Sequence, residues 1–355
     1  ITPTGFTVPT MSPVAPAVEA GAPVGEGDLV LVTGGARGIT FECAAALAER
    51  TRCRLLLVGR TPAAAGDEPW LRAGPDEIDG AIRELEIAAV KEEKIPLKDA
   101  KRRGRRTRSQ WEIHRNLERL AAAGIDADYR VCDVADPAAF GPFLEQIYDR
   151  DEIRGVVHGA GVQRSKLIGD LADDDVDVTV GTKISPVLTM LDRLDWPRVR
   201  LFSAFGSIAG LFGNAGQTDY GLANDMLTWL VRGIAGLHPH VRAQIVEWTA
   251  WVGTGMVTEE EAKRFGEAGL VPLDVPSGTH HYLAGLLGTA RAQVACFNAS
   301  AGFVSGREMN AHAISARPAL RLLTDGESRA RFDPERDVWL AQHLVNHESV
   351  VPGTF

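Results

Sequence analysis

Apolar runs of strand length alternate along the chain with amphipathic stretches of helix length, beginning near residue 28. Near-continuous apolar strands separated by helices are typical of a parallel sheet that is covered on both faces. The pattern therefore predicts an α/β protein with a doubly wound parallel sheet. The predicted strands are Leu29–Thr33, Arg54–Val58, Ala127–Val131, Gly155–His158, Val199–Phe205, Gln244–Trp248 and Gln293–Phe297.

The connection between the second and third predicted strands is unusually long, at about sixty-five residues. Roughly twenty to thirty residues would complete a unit of two parallel strands and their crossover helix. The surplus is an insertion, which we expect to be helical around Asp76–Lys94 and Ser109–Ala123. Between these stretches lies a basic run, Lys98–Arg108, which contains seven Lys and Arg residues and one Asp.

Charge and composition exclude several function classes. The 355 residues carry a net charge of −9 with a pI of about 5.5, which gives no global support to nucleic-acid binding. Four scattered cysteines without metal-ligand or disulfide spacing suit a reducing cytoplasm. We find no signal peptide and no apolar run near the ~20 residues of a membrane span. We therefore expect a cytoplasmic protein with no membrane partner and no metal site.

A glycine-rich turn follows the first predicted strand and precedes a predicted helix. Gly34 and Gly38 let the backbone turn tightly and approach a pyrophosphate, which sits on helix N–H groups. Strand, turn and helix in this order predict a Rossmann-type dinucleotide site, because a glycine pattern gains specificity from that context. The candidate cofactor-binding residues in the turn are Thr33, Gly34, Ala36, Arg37, Gly38 and Ile39.

The end of the second strand indicates which nucleotide is bound. Enzymes that use NAD usually place a carboxylate there, which accepts from the ribose 2′-hydroxyl. This chain instead has Arg60 and Thr61, a cation and a hydroxyl that suit a 2′-phosphate. The predicted cofactor is therefore NADPH, and the alternative is that Arg60 is a surface arginine without a ligand.

Two hydroxyl side chains near the fifth strand suggest carbonyl chemistry. Ser207 and Tyr220 are thirteen residues apart across a glycine-rich loop, and Asn224 follows Tyr220 by four residues, hence on one helix face. Hydride reduction of a ketone leaves an oxyanion that must be stabilised and protonated. Ser207 can donate a hydrogen bond and Tyr220 a proton. Because an unperturbed tyrosine has a pKa near 10, we expect a nearby cation that lowers it.

These segments resemble the short-chain dehydrogenases/reductases, and within them the ketoreductase domains of multidomain fatty-acid and polyketide synthases. In synthase ketoreductases the catalytic lysine lies on the helix before the serine strand, and an asparagine follows the tyrosine. Lys183, twenty-four residues before Ser207, and Asn224 fit that arrangement. The resemblance thus implies a catalytic set of Lys183, Ser207, Tyr220 and Asn224. Thr40 stands where the family has a third glycine, which puts close helix packing in question.

Further site residues follow from the resemblance alone. It implies that Asp133, with Val134 beside it, binds the adenine end of the cofactor. It also implies that the small residues Gly159, Ala160 and Gly161 lie against the cofactor ribose. Trp248 and Trp251 correspond to a segment that covers the nicotinamide and leads into a substrate lid at about 253–272, although core packing is an equal alternative for Trp248. We expect His158 to be a packed residue at a strand end rather than a catalyst.

The resemblance implies a substrate tethered as a β-ketoacyl thioester to an acyl carrier protein, reduced by NADPH to the β-hydroxyacyl thioester. Within the synthases, the chain looks most like the iterative ones that make polyunsaturated fatty acids, and enediyne-type synthases are a near alternative. Residues 332–355 resemble the opening of a dehydratase domain, with His343 and Pro352 at that family's motif spacing. The implied partners are the acyl carrier protein and neighbouring synthase domains, including a dehydratase.

The predicted domain order is a Pro/Ala-rich extended linker over 1–25, a ketoreductase domain over 26–305, a second linker over 306–331 and the truncated dehydratase-like start. Because the chain opens with Ile1 rather than Met, we expect it to be a piece of a longer protein. The alternatives are a free-standing NADP-dependent reductase and a catalytically silent scaffold. For the basic run, a solvated loop is the first interpretation, a docking patch for the acidic carrier protein the second, and nucleic-acid binding a distant third.

Overall fold

The computed structural model forms two units along the chain, and the larger one comprises Pro16–Gly266 and Val271–Asn298. The residues that the structure describes are 21–148, 151–253, 263, 267, 270–288, 293–296, 298–299, 344–345 and 348–349. The fold and the candidate site lie in the larger unit. None of the helices in these described ranges combines the length and apolarity needed to cross a bilayer.

A seven-stranded, all-parallel sheet forms the centre of the larger unit, with the strand order β3-β2-β1-β4-β5-β6-β8. The α/β doubly wound prediction and all seven predicted strands are confirmed, with ends that differ by at most a few residues. The strands are β1 Leu29–Thr33, β2 Arg54–Gly59, β3 Ala127–Val131, β4 Ile153–His158, β5 Leu201–Ser207, β6 Arg242–Trp248, β7 Leu270–Val271, β8 Gln293–Cys296 and β9 Asn298–Ala299.

Helices cover both faces of this sheet. Buried side chains of α1 and α8 pack on one face, and those of α4, α5 and α7 pack on the other. Three short 3-10 helices lie at Pro69–Arg72, Ile168–Asp170 and Trp196–Arg198. The α-helices are α1 Gly38–Thr51, α2 Ile78–Lys91, α3 Leu97–Ala122, α4 Pro137–Tyr148, α5 Asp173–Arg193, α6 Ile208–Phe212, α7 Thr218–Leu237 and α8 Val275–Leu287.

The central strands are apolar throughout because both of their faces are covered. All five residues of β1 are buried, as are the four middle residues of β2. The order of the strands reverses direction between β1 and β4. Ligands of open α/β sheets bind at such a switch point, outside the carboxyl ends of the strands. The loops that follow β1, β4 and β5 therefore meet at this edge.

The insertion forms a helical hairpin of α2 and α3. The prediction of a solvated loop at Lys98–Arg108 is wrong, because this basic run forms the first half of the 26-residue helix α3. Its cations meet acidic side chains on or beside α2: Lys101 pairs with Glu86, Arg103 with Glu93 and Arg108 with Asp79. Opposite charge on a neighbouring helix thus orders a segment whose own composition indicates solvation.

An apolar cluster holds the base of this hairpin. Trp111 is buried against Ile78 and Ile82 of α2, and its indole N–H donates to the Ala73 carbonyl at 3.0 Å. Gly104 lies at the close approach of the two helices, since a Cβ built there would be 2.2 Å from the Glu86 carboxylate. The hairpin therefore has a small core of its own in addition to its ion pairs.

The amino-terminal linker ends earlier than expected. Val24 is only 2% exposed and belongs to the core cluster on the α1 face of the sheet. A Cβ at Gly155 in β4 would be 3.2 Å from its side chain, and the Gly21 carbonyl accepts from Arg242 at 2.8 Å. Residues 21–25 are thus packed on the domain, because an apolar side chain fills the space that a strand glycine leaves.

Two predictions fall mostly outside the described residues. The lid expected at about 253–272 is one of them, and the dehydratase-like tail is the other. In the tail, Leu344–Val345 (β10) and Glu348–Ser349 (β11) pair as an antiparallel hairpin. The residues that carry the dehydratase motif, His343 and Pro352, lie outside the described set.

We expect Trp111→Ala to loosen the hairpin while the sheet stays intact. Truncation of a buried tryptophan costs about 3–5 kcal/mol, and here the loss falls on a cluster that is separate from the main core. Limited trypsin digestion should then cleave within Lys98–Arg108 much faster than in the wild type. Trp111→Phe, which keeps a ring in the cluster, is the matched control. Equal cleavage rates for wild type and Trp111→Ala would contradict this account of the hairpin.

Candidate active site

The turn after β1 has the geometry of a dinucleotide cradle. Gly34 and Gly38 have positive φ angles of 68° and 61°, which favour glycine. A Cβ at Gly34 would lie 2.9 Å from the Ala160 backbone, so the turn packs tightly on the loop after β4. α1 begins at Gly38 with no capping side chain and no acidic residue in its first turn. Its N–H groups can therefore receive a pyrophosphate.

The question raised by Thr40 is resolved by a glycine on the facing loop. Thr40 is buried, and a Cβ at Gly159 would lie 2.1 Å from the Thr40 hydroxyl oxygen. Helix α1 thus keeps its close packing because the side chain is missing on the opposite partner. Ala36 and Ala160 are buried beside this contact, and Ile39 packs against the core, so these residues shape the loops through packing.

Arg60 and Asp133 lie together where β2 and β3 end. The Arg60 guanidinium is 3.8 Å from the Asp133 carboxylate, and both side chains are about half exposed. Asp133 also accepts from the Ala135 N–H at 3.1 Å, and Val134 is buried next to it. The Thr61 carbonyl accepts from the Tyr129 hydroxyl at 2.6 Å. An exposed arginine held at this edge fits the predicted 2′-phosphate contact.

The second half of α3 supports the cofactor turn, a contact that the sequence did not reveal. Asn116 donates to the Ala36 carbonyl at 2.9 Å, and Glu112 pairs with Arg37 at 3.0 Å. Arg119 pairs with Glu42 of α1. The amphipathic pattern of α3 indicated that one face of this helix packs on the protein. The sequence did not indicate which surface that face covers.

Lys183 is the central cation of the site. It is 4% exposed, and its Nζ donates to the Phe205 carbonyl of β5 at 2.8 Å. The same Nζ lies 5.9 Å from the centroid of the Tyr220 ring. A Cβ at Gly161 would be 3.4 Å from Nζ, so the loop after β4 leaves room for the ammonium. Burial lowers the Lys183 pKa to about 8, and the Glu247 carboxylate opposes that shift.

The side chains of Ser207 and Asn224 are near enough to the Tyr220 phenol to lower its pKa. Ser207 ends β5, and its oxygen accepts from the Ala209 N–H at 3.2 Å, so it caps α6. Asn224 is fully buried and also donates to the Tyr220 carbonyl at 2.7 Å, one turn back along α7. The structure thus brings the four predicted catalytic residues together.

The expectation that a cation lowers the Tyr220 pKa is wrong for the protein alone. Burial raises the Tyr220 pKa, and this effect outweighs the hydrogen bonds from Asn224 and Ser207, which lower it. The Lys183 ammonium is directed at the Phe205 carbonyl rather than at the phenol oxygen. A phenol with a raised pKa keeps its proton, which is the state that a proton donor requires.

His158 joins the cofactor side of the site to the lysine helix. It is fully buried, and Nε2 lies 2.9 Å from the Lys183 carbonyl, so Nε2 carries the proton. Nδ1 then accepts from the Thr33 hydroxyl at 2.7 Å. Burial, with the Lys183 charge as the next cause, lowers the His158 pKa to about 4. The packed role expected for His158 is confirmed.

Trp248 and Trp251 pack in the core. They are 3% and 2% exposed, and their rings meet edge to face at 4.9 Å. Trp248 also contacts Phe205 of β5. Trp251 fills the space beside Gly278 of α8, where a Cβ would be 2.1 Å from the indole. Of the two interpretations considered for Trp248, the structure therefore favours core packing.

Comparison with known proteins places this site in a family. The family model for the KR domain matches residues 29–253, which cover the sheet through β6 and all four candidate catalytic residues. The chain is 28% identical over 292 residues to a polyunsaturated fatty acid synthase subunit of Thraustochytrium sp.. That alignment covers 78% of this chain and 10% of the relative. The chain belongs to the KR domain family, and it is a ketoreductase.

Solved structures agree with the fold. A ketoreductase from the first module of phoslactomycin biosynthesis in Streptomyces sp. superposes with a TM-score of 0.62 at 24% identity. The match covers 89% of this chain and 62% of that one. A blue fluorescent protein from a metagenomic library, solved in complex with NADPH, gives a TM-score of 0.56 at 19% identity over 78% of this chain and 98% of its own. At these identities the likeness concerns the fold, which is one that binds NAD(P)H.

We expect acid to destabilise the protein through His158. Its pKa is about 4 in the folded protein against 6.5 in the unfolded chain. The unfolded chain therefore binds the extra proton first, and stability falls as the pH drops from about 6.5 to 4, by a total of about 3 kcal/mol. Urea unfolding at pH 7.5 and pH 5 measures this loss. His158→Gln, which keeps a donor and an acceptor but cannot titrate, should reduce the pH dependence; an unchanged dependence would contradict the assignment.

Proposed function

We propose that this domain reduces a β-ketoacyl thioester, carried on the phosphopantetheine arm of an acyl carrier protein, to the β-hydroxyacyl thioester with NADPH. The observation that carries the proposal is the Tyr220 ring 5.9 Å from the buried Lys183 ammonium, with Ser207 and Asn224 near enough to lower the pKa of its phenol. The Thraustochytrium relative is a synthase ten times longer than the matched part. Its name supports a carrier-bound substrate and neighbouring synthase domains as partners, and a dehydratase among them remains a prediction.

NADPH, when bound, supplies the hydride that reaches the ketone carbon. Gly34, Gly38 and the first turn of α1 would hold its pyrophosphate, and Arg60 its 2′-phosphate. The fit rests on Gly34, where the Ala160 backbone leaves no room for a Cβ, and on a helix start without acidic residues. Thr33 acts indirectly, through its hydrogen bond to His158.

The chain's own residues would handle the charge that develops on the ketone oxygen. The oxygen of Ser207 already accepts from a backbone N–H, so its own hydrogen is available to the ketone oxygen. The Tyr220 phenol delivers the proton as the carbon–oxygen double bond becomes a single bond. The Lys183 ammonium lies 5.9 Å from the centroid of the Tyr220 ring, so positive charge is close to the ring when the proton leaves. Asn224 donates to the Tyr220 backbone carbonyl one turn back on the same helix, and so helps to position this residue.

Replacement of the proton donor tests the reaction. We expect Tyr220→Phe to lower kcat with a β-ketoacyl N-acetylcysteamine thioester by about 10²–10⁴-fold, because general acid catalysis is lost. NADPH absorbance follows the turnover. NADPH binding by fluorescence should stay near the wild-type value, since the ring is retained. Turnover restricted to small ketones would favour the free-standing reductase, and wild-type protein that neither binds NADPH nor turns over would favour the silent scaffold.

Exchange of one charge tests cofactor choice. We expect Arg60→Asp to weaken NADPH binding at least about tenfold and to improve NADH binding, because a carboxylate repels a 2′-phosphate and accepts from a 2′-hydroxyl. Fluorescence titration with both nucleotides measures the change. Arg193→Asp, at an exposed ion pair with Glu145 that joins α5 to α4, is the control. Wild-type preference for NADH would overturn the role of Arg60.

A further inference from the structure

A carboxylate is buried beneath the helix that carries Tyr220. Glu247 lies near the end of β6 and is 1% exposed. In the sheet register it is opposite Gly206 of β5, between Phe205, whose carbonyl receives the Lys183 ammonium, and Ser207. Burial of a carboxylate costs several kcal/mol unless partners compensate it. An acidic residue at this depth in an apolar strand therefore needs an explanation, and its place in the sequence indicates no role.

The surroundings of Glu247 are shaped to hold the carboxylate. The Thr228 hydroxyl donates to one of its oxygens, Oε1. Thr228 lies one turn after Asn224 on the buried face of α7, and its oxygen is also 3.1 Å from the Asn224 carbonyl. A Cβ at Gly206 would be 2.1 Å from the other oxygen, Oε2. The missing side chain of Gly206 thus provides the volume that the carboxylate occupies.

The titratable groups that face Lys183 come from three elements. Tyr220 of α7 and His158 of β4 are both neutral near pH 7, because burial raises the pKa of the first and lowers that of the second to about 4. Glu247 of β6 is the third: it lies across the sheet from Gly206, beside the Phe205 carbonyl that accepts from the ammonium, and as a carboxylate it raises the pKa of both Lys183 and Tyr220. Among the described residues around the ammonium, Glu247 is therefore the one that can offset the charge.

We propose that Glu247 is a positioning residue of the site, whose buried carboxylate, held by Thr228 in the space left by Gly206, keeps the Lys183 ammonium charged. In its absence, the carbonyl of Phe205 and the ring of Tyr220 would be left to compensate a buried cation. The same charge disfavours the phenolate, so Tyr220 keeps its proton until the ketone oxygen takes it. This role deepens the proposed function and rests on it for its catalytic meaning.

The charge of Lys183 can be measured without cofactor or substrate. The chain has seven lysines, so ¹³Cε-lysine labelling gives a small set of NMR signals. Loss of one signal in Lys183→Arg assigns residue 183. In the wild type we expect this signal to titrate near pH 8. In Glu247→Gln, which keeps the volume and an acceptor for Thr228 but removes the charge, we expect the Lys183 pKa to fall by about one unit or more.

A second pair of variants protects the test against a folding defect in Glu247→Gln. Thr228→Val removes the donor to the carboxylate and should lower the Lys183 pKa in the same direction, whereas Thr228→Ser should restore it. Glu145→Gln, a surface carboxylate paired with Arg193, should leave the Lys183 titration unchanged. An unchanged or higher Lys183 pKa in both Glu247→Gln and Thr228→Val would overturn the proposal.

The pH profile of turnover links the titration to catalysis. The basic limb of kcat/KM should move to lower pH in Glu247→Gln by the same shift as the Lys183 signal, because reduction needs the ammonium. A purely structural role would lower activity at every pH without moving the limb, and that result would contradict the proposal. If the NMR shift occurs but the wild type does not reduce β-ketoacyl thioesters, the proposed function fails while the electrostatic role of Glu247 stands.

Discussion

One interaction sets the requirements for the rest of the site: the Lys183 ammonium is held charged in the interior of the protein. A buried cation is costly unless donors, acceptors and opposite charge surround it. Here the compensation comes from the Phe205 carbonyl, the face of the Tyr220 ring and the Glu247 carboxylate. These groups belong to β5, α7 and β6, whereas the lysine belongs to α5. The site therefore exists only when the sheet is assembled in its parallel order.

The cofactor side and the proton-donating side of the site are joined through a buried histidine. His158 accepts a hydrogen bond from the Thr33 hydroxyl at the end of β1 and donates one to the Lys183 carbonyl on α5. Two glycines allow close backbone contacts in the same region. Gly34 lets the loop after β1 pack on the loop after β4, and Gly159 lets the loop after β4 pack on helix α1. This network fixes the end of β1, where the glycine turn begins, relative to the helix that carries Lys183.

The helical insertion has a structural role in this domain. Of the seven cations in the basic run, Lys101, Arg103 and Arg108 pair with acids on or beside α2, and Arg102 pairs with Asp99. Much of the positive charge is thus used within the hairpin, which weakens the interpretation of the run as a docking patch. The other half of α3 contacts the cofactor turn through Asn116 and Glu112. The insertion consequently couples the stability of a surface hairpin to the dinucleotide loop.

The sequence by itself determined the parallel sheet and the glycine turn, because these depend on local periodicity and on spacing within single motifs, and the resemblance to synthase ketoreductases added the four catalytic candidates. Only the tertiary structure decided the rest. The helix over Lys98–Arg108 forms beside the acidic side chains of α2. Thr40 fits at a position where the family has glycine because Gly159 on the facing loop has no side chain. The pKa of Tyr220 is raised because the folded protein buries its phenol. Glu247 is one charged residue in an apolar strand until β5, β6 and α7 enclose it beside Lys183. The pKa shifts of the buried groups at this site arise mainly from desolvation, and desolvation is a property of the assembled fold rather than of any segment of the chain.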